Sequence, residues 1–260
     1  FTVDSAAQKD KRLWYSDNYI VNAQVLSGQI ASKNMSVKLG QALLNTTSGD
    51  LKLSDIKMTR LSDRVEKDYA EGTIGLVDFN GLIYDKGLRA ANLIVNDAKV
   101  TYYKLEKNIT KPTVVTAKSH QGNLFDLFAP YADFLHVNNI RLNNANINYC
   151  NRLTGNDYSI NDFTFYATGF VVDDYTRWNK RYFFSCDNFG FNFKGLNYYL
   201  IGEDYRLQIG RGELSHIRRS FTLEDIRLAP QEDAKRKLSS YFDVDMKRFE
   251  AKGVNLDLEH

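Results

Sequence analysis

Acidic side chains are the groups in this chain whose types and spacing come nearest to chemistry. Two carboxylates a few ångströms apart can cleave a glycosidic bond, one as acid and the other as base or nucleophile. Pairs stand at Asp173 and Asp174, and at Asp243 and Asp245. On a strand, neighbouring residues point to opposite faces, so Asp173 and Asp174 cannot converge there; ahead of YTRW they read as a polar turn. Asp55, Asp97, Asp162 and Asp225 recur at one place in a repeated strand pattern. That recurrence assigns them to a backbone bend, because active sites are rarely built four times. His120, His136 and His216 lie far apart in sequence and read as surface residues. Cys150 and Cys186 have no CxxC or Cys/His company, so no metal site is expected. They are read as free thiols acting as small apolar residues, with a disulfide as the alternative in an oxidising compartment. GxSxG, P-loop, dinucleotide and HExxH motifs are absent. No catalytic residue and no cofactor is therefore expected, and the chain is read as non-enzymatic.

The elements that would position such groups show in an eight-residue pattern: apolar, any, apolar, two small polar residues, apolar, any, apolar. It occurs as LKLSDIKM (51–58), LIVNDAKV (93–100), LHVNNIRL (135–142), YSINDFTF (158–165), FSCDNFGF (184–191) and FTLEDIRL (221–228). Each half alternates with period two, as strands do. The two polar residues shift the phase, which predicts a bulge that bends the strand and restores one apolar face. Hairpin turns prefer Asn-Gly or Asp-Gly, and none of these copies has Gly there.

The stretch 36–58 also lies over 206–228 without a gap, at an offset of 170 residues, with Leu39 on Ile209, Gly40 on Gly210 and Asp55 on Asp225. Such spacing marks a repeated structural unit. The expected fold is mainly β: a long, curved, mostly antiparallel sheet of repeated strand units with two or three short helices. A parallel β-solenoid is the alternative. Apolar spacing predicts helices at 123–135 and 230–241. Loops are expected at 63–72 and 108–123. The chain is expected to form one elongated repeat domain over 1–257, with a first unit at 19–200 and a partial second at 201–257. Residues 258–260 read as an expression-tag remnant, and both ends as those of an excised fragment.

Across its 260 residues, apolar residues make up 43%, charged residues 25% and the net charge is +2, a balance that suits a folded chain. The basic residues do not gather into one face, so nucleic acid is not an expected partner. No run reaches the ~18 apolar residues of a membrane span.

GDLKLSDIKMTR, LFDLFAPYADFLHVNNIRLNNANINY and YRLQIGRGELSHIRRSFTLEDIRLAP resemble the AsmA-like family of bacterial envelope proteins, in the form found in Bacteroidetes. The resemblance spans about residues 20–256. It implies a periplasmic protein whose parent is held at the inner membrane by an N-terminal helix absent from this sequence. Some members are similar to bridge-like lipid-transfer proteins, whose curved sheet holds acyl chains on an apolar concave face. On that basis Ile140, Leu142, Phe163, Phe165, Phe189 and Phe191 are the candidate lipid-groove residues, with lipid or acyl chains, and other envelope proteins, as partners. Support of outer-membrane assembly is a related role. The competing reading of the same residues is filled core. Two other functions stay open: a structural or adhesion module binding glycan or protein through an exposed sheet face, and a β-helix enzyme acting on polysaccharide.

Overall fold

A computed structural model of the chain describes residues 19–30, 34–62, 68–105, 132–175, 185–200, 204–232, 235 and 240–254. Nearly all of these residues belong to strands. In chain order they are β1 (Ile20–Ile30), β2 (Met35–Asn45), β3 (Asp50–Arg60), β4 (Tyr69–Asn80), β5 (Ile83–Asp85) and β6 (Gly87–Lys104). There follow β7 (Leu135–Asn151), β8 (Asn156–Val172), β9 (Asn188–Leu200), β10 (Tyr205–Ser215), β11 (Ser220–Pro230) and β12 (Val244–Lys252). They form one open sheet of 12 strands in sequence order, with the short β5 paired to β6 off the main path. Every junction is antiparallel except β6–β7. A parallel solenoid is thereby excluded, since its neighbouring coils would run parallel throughout.

The duplication seen in the sequence is a duplication of strands. Shifting β2 and β3 by 170 residues gives the bounds of β10 and β11. The same shift lays β1 within β9 and β4 over most of β12.

The predicted helices fare differently. Residues 123–131 lie outside the described residues, but Ala132–Phe134 are not helical and Leu135 opens β7. Sheet pairing overrides the apolar spacing there: Asp133 N donates to Lys86 O at 2.8 Å and Leu88 N to Phe134 O at 2.8 Å. Of the predicted 230–241 helix, Pro230 still belongs to β11 and Tyr241 is not helical. One helical turn is present, where Lys235 N donates to Gln231 O at 2.9 Å. Tyr69–Gly72, expected in a loop, begin β4 instead. The loop expected at 108–123, with His120, and residues 258–260 lie outside the described residues.

In β1, β3, β6 and β11 the phase break comes from a single left-handed residue with no slip of register, whereas in β7, β8 and β9 a left-handed residue accompanies a register shift of the kind a bulge makes. Asp55, Asp97, Asn144, Asp162 and Asp225 have φ of 53°, 55°, 55°, 46° and 53°, and Gly195 has 76°. Asn and Asp tolerate this conformation better than other non-glycine residues. A bulge would add a residue and slip the register, yet Lys38 pairs with Lys57 and Gln41 with Ser54 in one continuous register across Asp55. Both strands of the pair therefore change phase at the same level. Register shifts occur only at the β7–β8 and β8–β9 junctions, around Leu142–Ile147 and Ile160–Thr164. These breaks form a seam running across the sheet.

Glycine is required where a neighbour faces the seam. A Cβ on Gly40 would sit 2.7 Å from Asp55 Cβ, and one on Gly210 would sit 2.9 Å from Asp225 Cβ. The repeat thus conserves a pair, glycine on one strand and left-handed Asp on the next. We expect Gly210→Ala to destabilise the fold by about 1–3 kcal/mol through overpacking. Asp225→Gly alone should be mild, because Gly enters the left-handed region freely. In the double variant the two effects should fall short of their sum by about 1 kcal/mol, since the side chain that clashes is gone. Urea unfolding followed by circular dichroism measures all three.

Candidate functional site: the apolar face

With the phase restored by the seam, apolar side chains from eleven strands share one face of the sheet. One row runs Ala23, Ala42, Leu53, Val77, Val95, Leu142, Phe165, Phe191, Leu214, Phe221 and Ala251, each opposite the next across a strand junction. On the far side of the seam a second row, beginning Gly28, Val37, Met58, Gly72, Val100 and ending Ile209, Ile226, Met246, is equally unbroken. Cross-strand pairs of this kind each contribute roughly 0.2–1 kcal/mol, so the rows hold the sheet together as well as coating it.

All six candidate residues lie on this face, next to one another. Leu142 pairs with Phe165 and Phe165 with Phe191. Ile140 and Phe189 both pair with Ala167, and Phe163 pairs with Ala145. The rings of Phe163 and Phe191 lie 6.0 Å apart. Each of the six is half-buried. Ile140, Phe165 and Phe189 also pack against a small buried cluster of Ala167, Phe170, Val172 and Cys186. They are therefore partly core and partly surface.

Farther along the face the surface opens. Ile147 is 41% exposed, Tyr198 47%, Met246 40% and Phe249 44%, values that leave room for a bound apolar group. Among the described residues no helix or second sheet is layered over these positions.

A row of tyrosines on the same face was not anticipated. Tyr102 stacks on Tyr149 at 5.7 Å, Tyr149 meets Tyr158 edge-on at 5.4 Å, and Tyr158 meets Tyr198 at 5.3 Å. Their sequence signal is the tyrosine at the end of each alternating run, which reads as strand preference until the register aligns the four. Tyr102 Oη donates to Asp68 at 2.9 Å, so an apolar ring ends in a polar tip at the rim.

The opposite face is polar. Across the parallel β6–β7 junction, Asn139 donates to Asn92 at 3.1 Å, Asn143 to Asn96 at 2.8 Å and Asn144 to Asp97 at 2.7 Å. This ladder aligns residues 47 apart, such as Asn96 and Asn143. Toward β12 the face carries Arg211, Glu213, Arg218, Glu224, Arg248 and Glu250 around a shallow depression. Arg218 pairs with Glu213, and Arg248 lies 3.6 Å from Glu224 and 3.2 Å from Glu250. Lys252, donating to Glu250, holds that exposed carboxyl below its ordinary range.

The residues considered for chemistry do not converge. Asp173 sits in a bend just after β8, and Asp174 begins a short helical stretch. Asp243 and Asp245 lie at the start of β12, where both are exposed. The recurring aspartates occupy the seam. His216, expected at the surface, is half-buried: its ring stacks on Phe189 at 5.6 Å and its Nδ1 lies 3.2 Å from Asn188 Oδ1. Among the described residues no group of three His, Cys, Asp or Glu could hold a metal.

Cys150 and Cys186 are free and buried. Burial, with the hydrogen bond to Asp157 and its charge, raises the Cys150 thiol. Burial and then Asp187 push Cys186 from 9.0 to about 11.

The fold and its two faces define a single open amphipathic sheet, built by strand duplication. No protein-family model matches the chain, and no curated protein does.

Because Cys186 keeps its proton longer when folded than when unfolded, its contribution to stability is full below about pH 9 and is lost as pH rises toward 11. Stability should fall over that window in wild type and fall less in Cys186→Ala, measured by urea midpoints against pH. At neutral pH both thiols should resist a thiol-titrating reagent until the chain unfolds.

Proposed function

We propose that the chain is a non-enzymatic, lipid-handling protein of the bacterial periplasm, which holds acyl chains against the apolar face of its sheet. It would be part of an AsmA-like envelope protein anchored at the inner membrane, working in lipid transport or in support of outer-membrane assembly. The supporting observation is the continuity of the apolar rows over eleven strands, with side chains exposed along them. Burying a methylene contributes roughly 0.8 kcal/mol, so a long acyl chain laid along several rows is held by area alone, without a polar constellation. The tyrosine row suits the boundary between an acyl chain and a polar headgroup, since each ring offers apolar area and a hydroxyl. The same half-exposed tyrosines favour a second reading, stacking of sugar rings in a glycan-binding module.

Native mass spectrometry with organic extraction of the purified chain should recover lipid, and a fluorescent fatty acid should bind. Ile147→Lys and Met246→Lys, at exposed places on the face, should weaken that binding several-fold with little change in unfolding midpoint. Absence of both extractable lipid and fatty-acid uptake would overturn the lipid reading. Oligosaccharide binding that is lost in Tyr198→Ala would replace it with the second.

A further inference from the structure

The open sheet leaves two edges. β1 and β12 end the strand order, and among the described residues neither has a partner on its outer side. An exposed edge is a template for another strand, and proteins usually blunt it with charge, proline or short length. β1 carries none of these: IVNAQVLSGQI is 11 residues long with no charged residue and no proline. It is also exposed almost throughout, with Ile20 at 74% and Val25 at 82%. β12, VDMKRFEAK, has charges at Asp245, Lys247, Arg248, Glu250 and Lys252.

The interior of the sheet shows which strands such edges accept. The repeat makes β12 the counterpart of β4 and β1 the counterpart of β9. β4 takes an antiparallel strand on each side, and so does β9. β12 has the apolar spacing of the eight-residue pattern, as VDMKRFEA with Val244, Met246, Phe249 and Ala251 at its apolar positions and Lys247 and Arg248 in place of the two small polar residues. Seam type distinguishes the strands further. At the level of the seam β1, β3, β6 and β11 hold a left-handed residue, Val25, Asp55, Asp97 and Asp225, whereas β2, β4, β10 and β12 hold none there. β2 and β4 each lie between two left-handed strands, and β10 lies between β9, with Gly195, and β11. Among the described residues β12 has such a neighbour only on its β11 side.

We propose that the sheet continues from copy to copy, with β12 of one chain pairing antiparallel to β1 of the next. One register keeps the apolar rows unbroken: Val244 opposite Ile30, Met246 opposite Gly28 and Ala251 opposite Ala23. It places each charge of β12 against a neutral residue, with Asp245 facing Gln29, Glu250 facing Gln24 and Lys252 facing Asn22. The two-fold alternatives are poorer. β12 against a second β12, with its apolar rows aligned, sets Asp245 opposite Glu250 and Lys247 opposite Arg248, and like charges directly opposed are destabilising. β1 against a second β1 sets two left-handed strands antiparallel, an arrangement the sheet shows only at β7–β8 and β8–β9, where the register is interrupted, and leaves β12 without its expected neighbour. Because the two surfaces differ, the contact is heterologous, and association builds a chain of copies that does not stop at two.

The test uses the full chain. Gly28→Cys and Met246→Cys, prepared separately, mixed and oxidised, should form a disulfide-linked dimer on a non-reducing gel. The mixture of Val244→Cys with Ala23→Cys, out of register, should form several-fold less. In light scattering the mass of the wild type should rise with concentration past that of a dimer. Leu26→Lys, a charge set on the exposed edge, should weaken association at least tenfold at an unchanged melting temperature. The proposal is overturned by a wild type that stays monomeric at every concentration or stops at a dimer. It is equally overturned by preferential cross-linking of Gly28→Cys with Ala23→Cys, the two-fold β1 pairing, or by Leu26→Lys associating as tightly as wild type.

Discussion

The structure depends on one constraint: side chains on a strand alternate faces with period two, and any break in that alternation must be matched by the neighbouring strand. Each strand here carries a break. A lone break would turn half of its apolar residues to the polar face and set them against charged neighbours. Placed at one level on every strand, the breaks cancel, and a single apolar face survives. Asp55 and Gly40 show how this is done locally. The left-handed Asp turns the chain, and the glycine opposite leaves room for it. Between β7 and β8 and between β8 and β9 the seam shifts along the strands, and that is where the pairing register is interrupted.

A second, shorter seam crosses the longer central strands. Gly169, at φ 62°, breaks β8 between Ala167 and Phe170, and Asp187 lies against it. There Phe170, Val172 and Cys186 join the buried cluster, and Val137 is also fully enclosed. Away from this patch each apolar side chain is sheltered mainly by its neighbours along the row. Tyr158 and Ile160 are half-buried and Ile147 is exposed, although all lie on one face. A sheet of this kind gains its stability from row contacts and backbone pairing, and it keeps apolar area available for a ligand. The same economy leaves the edge strands β1 and β12 without a partner on their outer sides among the described residues.

Much of this was legible in the residues. The period-two halves identified strands, the paired polar residues located the breaks, and the 170-residue offset foretold two copies of one strand group. The six residues selected for a groove do share one face. Other features were misread for physical reasons. A left-handed Asp and a bulge both shift phase, and only backbone angles and pairing distinguish them. LHVNNIRL and LIVNDAKV start 42 residues apart in the sequence, but their strands align at 47, so the partner of LIVNDAKV is IRLNNANI. LHVNNIRL belongs to the second seam. The apolar spacing before Leu135 suits a helix, yet at its C-terminal end Ala132–Phe134 join the edge of β6, where backbone hydrogen bonds are available. His216 read as solitary because Phe189, its stacking partner, is distant in sequence.

The sequence by itself determined the strands, their phase breaks and their duplication, because alternation and the left-handed tolerance of Asp, Asn and Gly are local properties of the chain. Only the tertiary structure decided which residues stand opposite one another. Register sums long-range pairing over many strands, and no single strand carries that information. It was register that drew the tyrosines into a row, the asparagines into a ladder and the apolar halves into one continuous face.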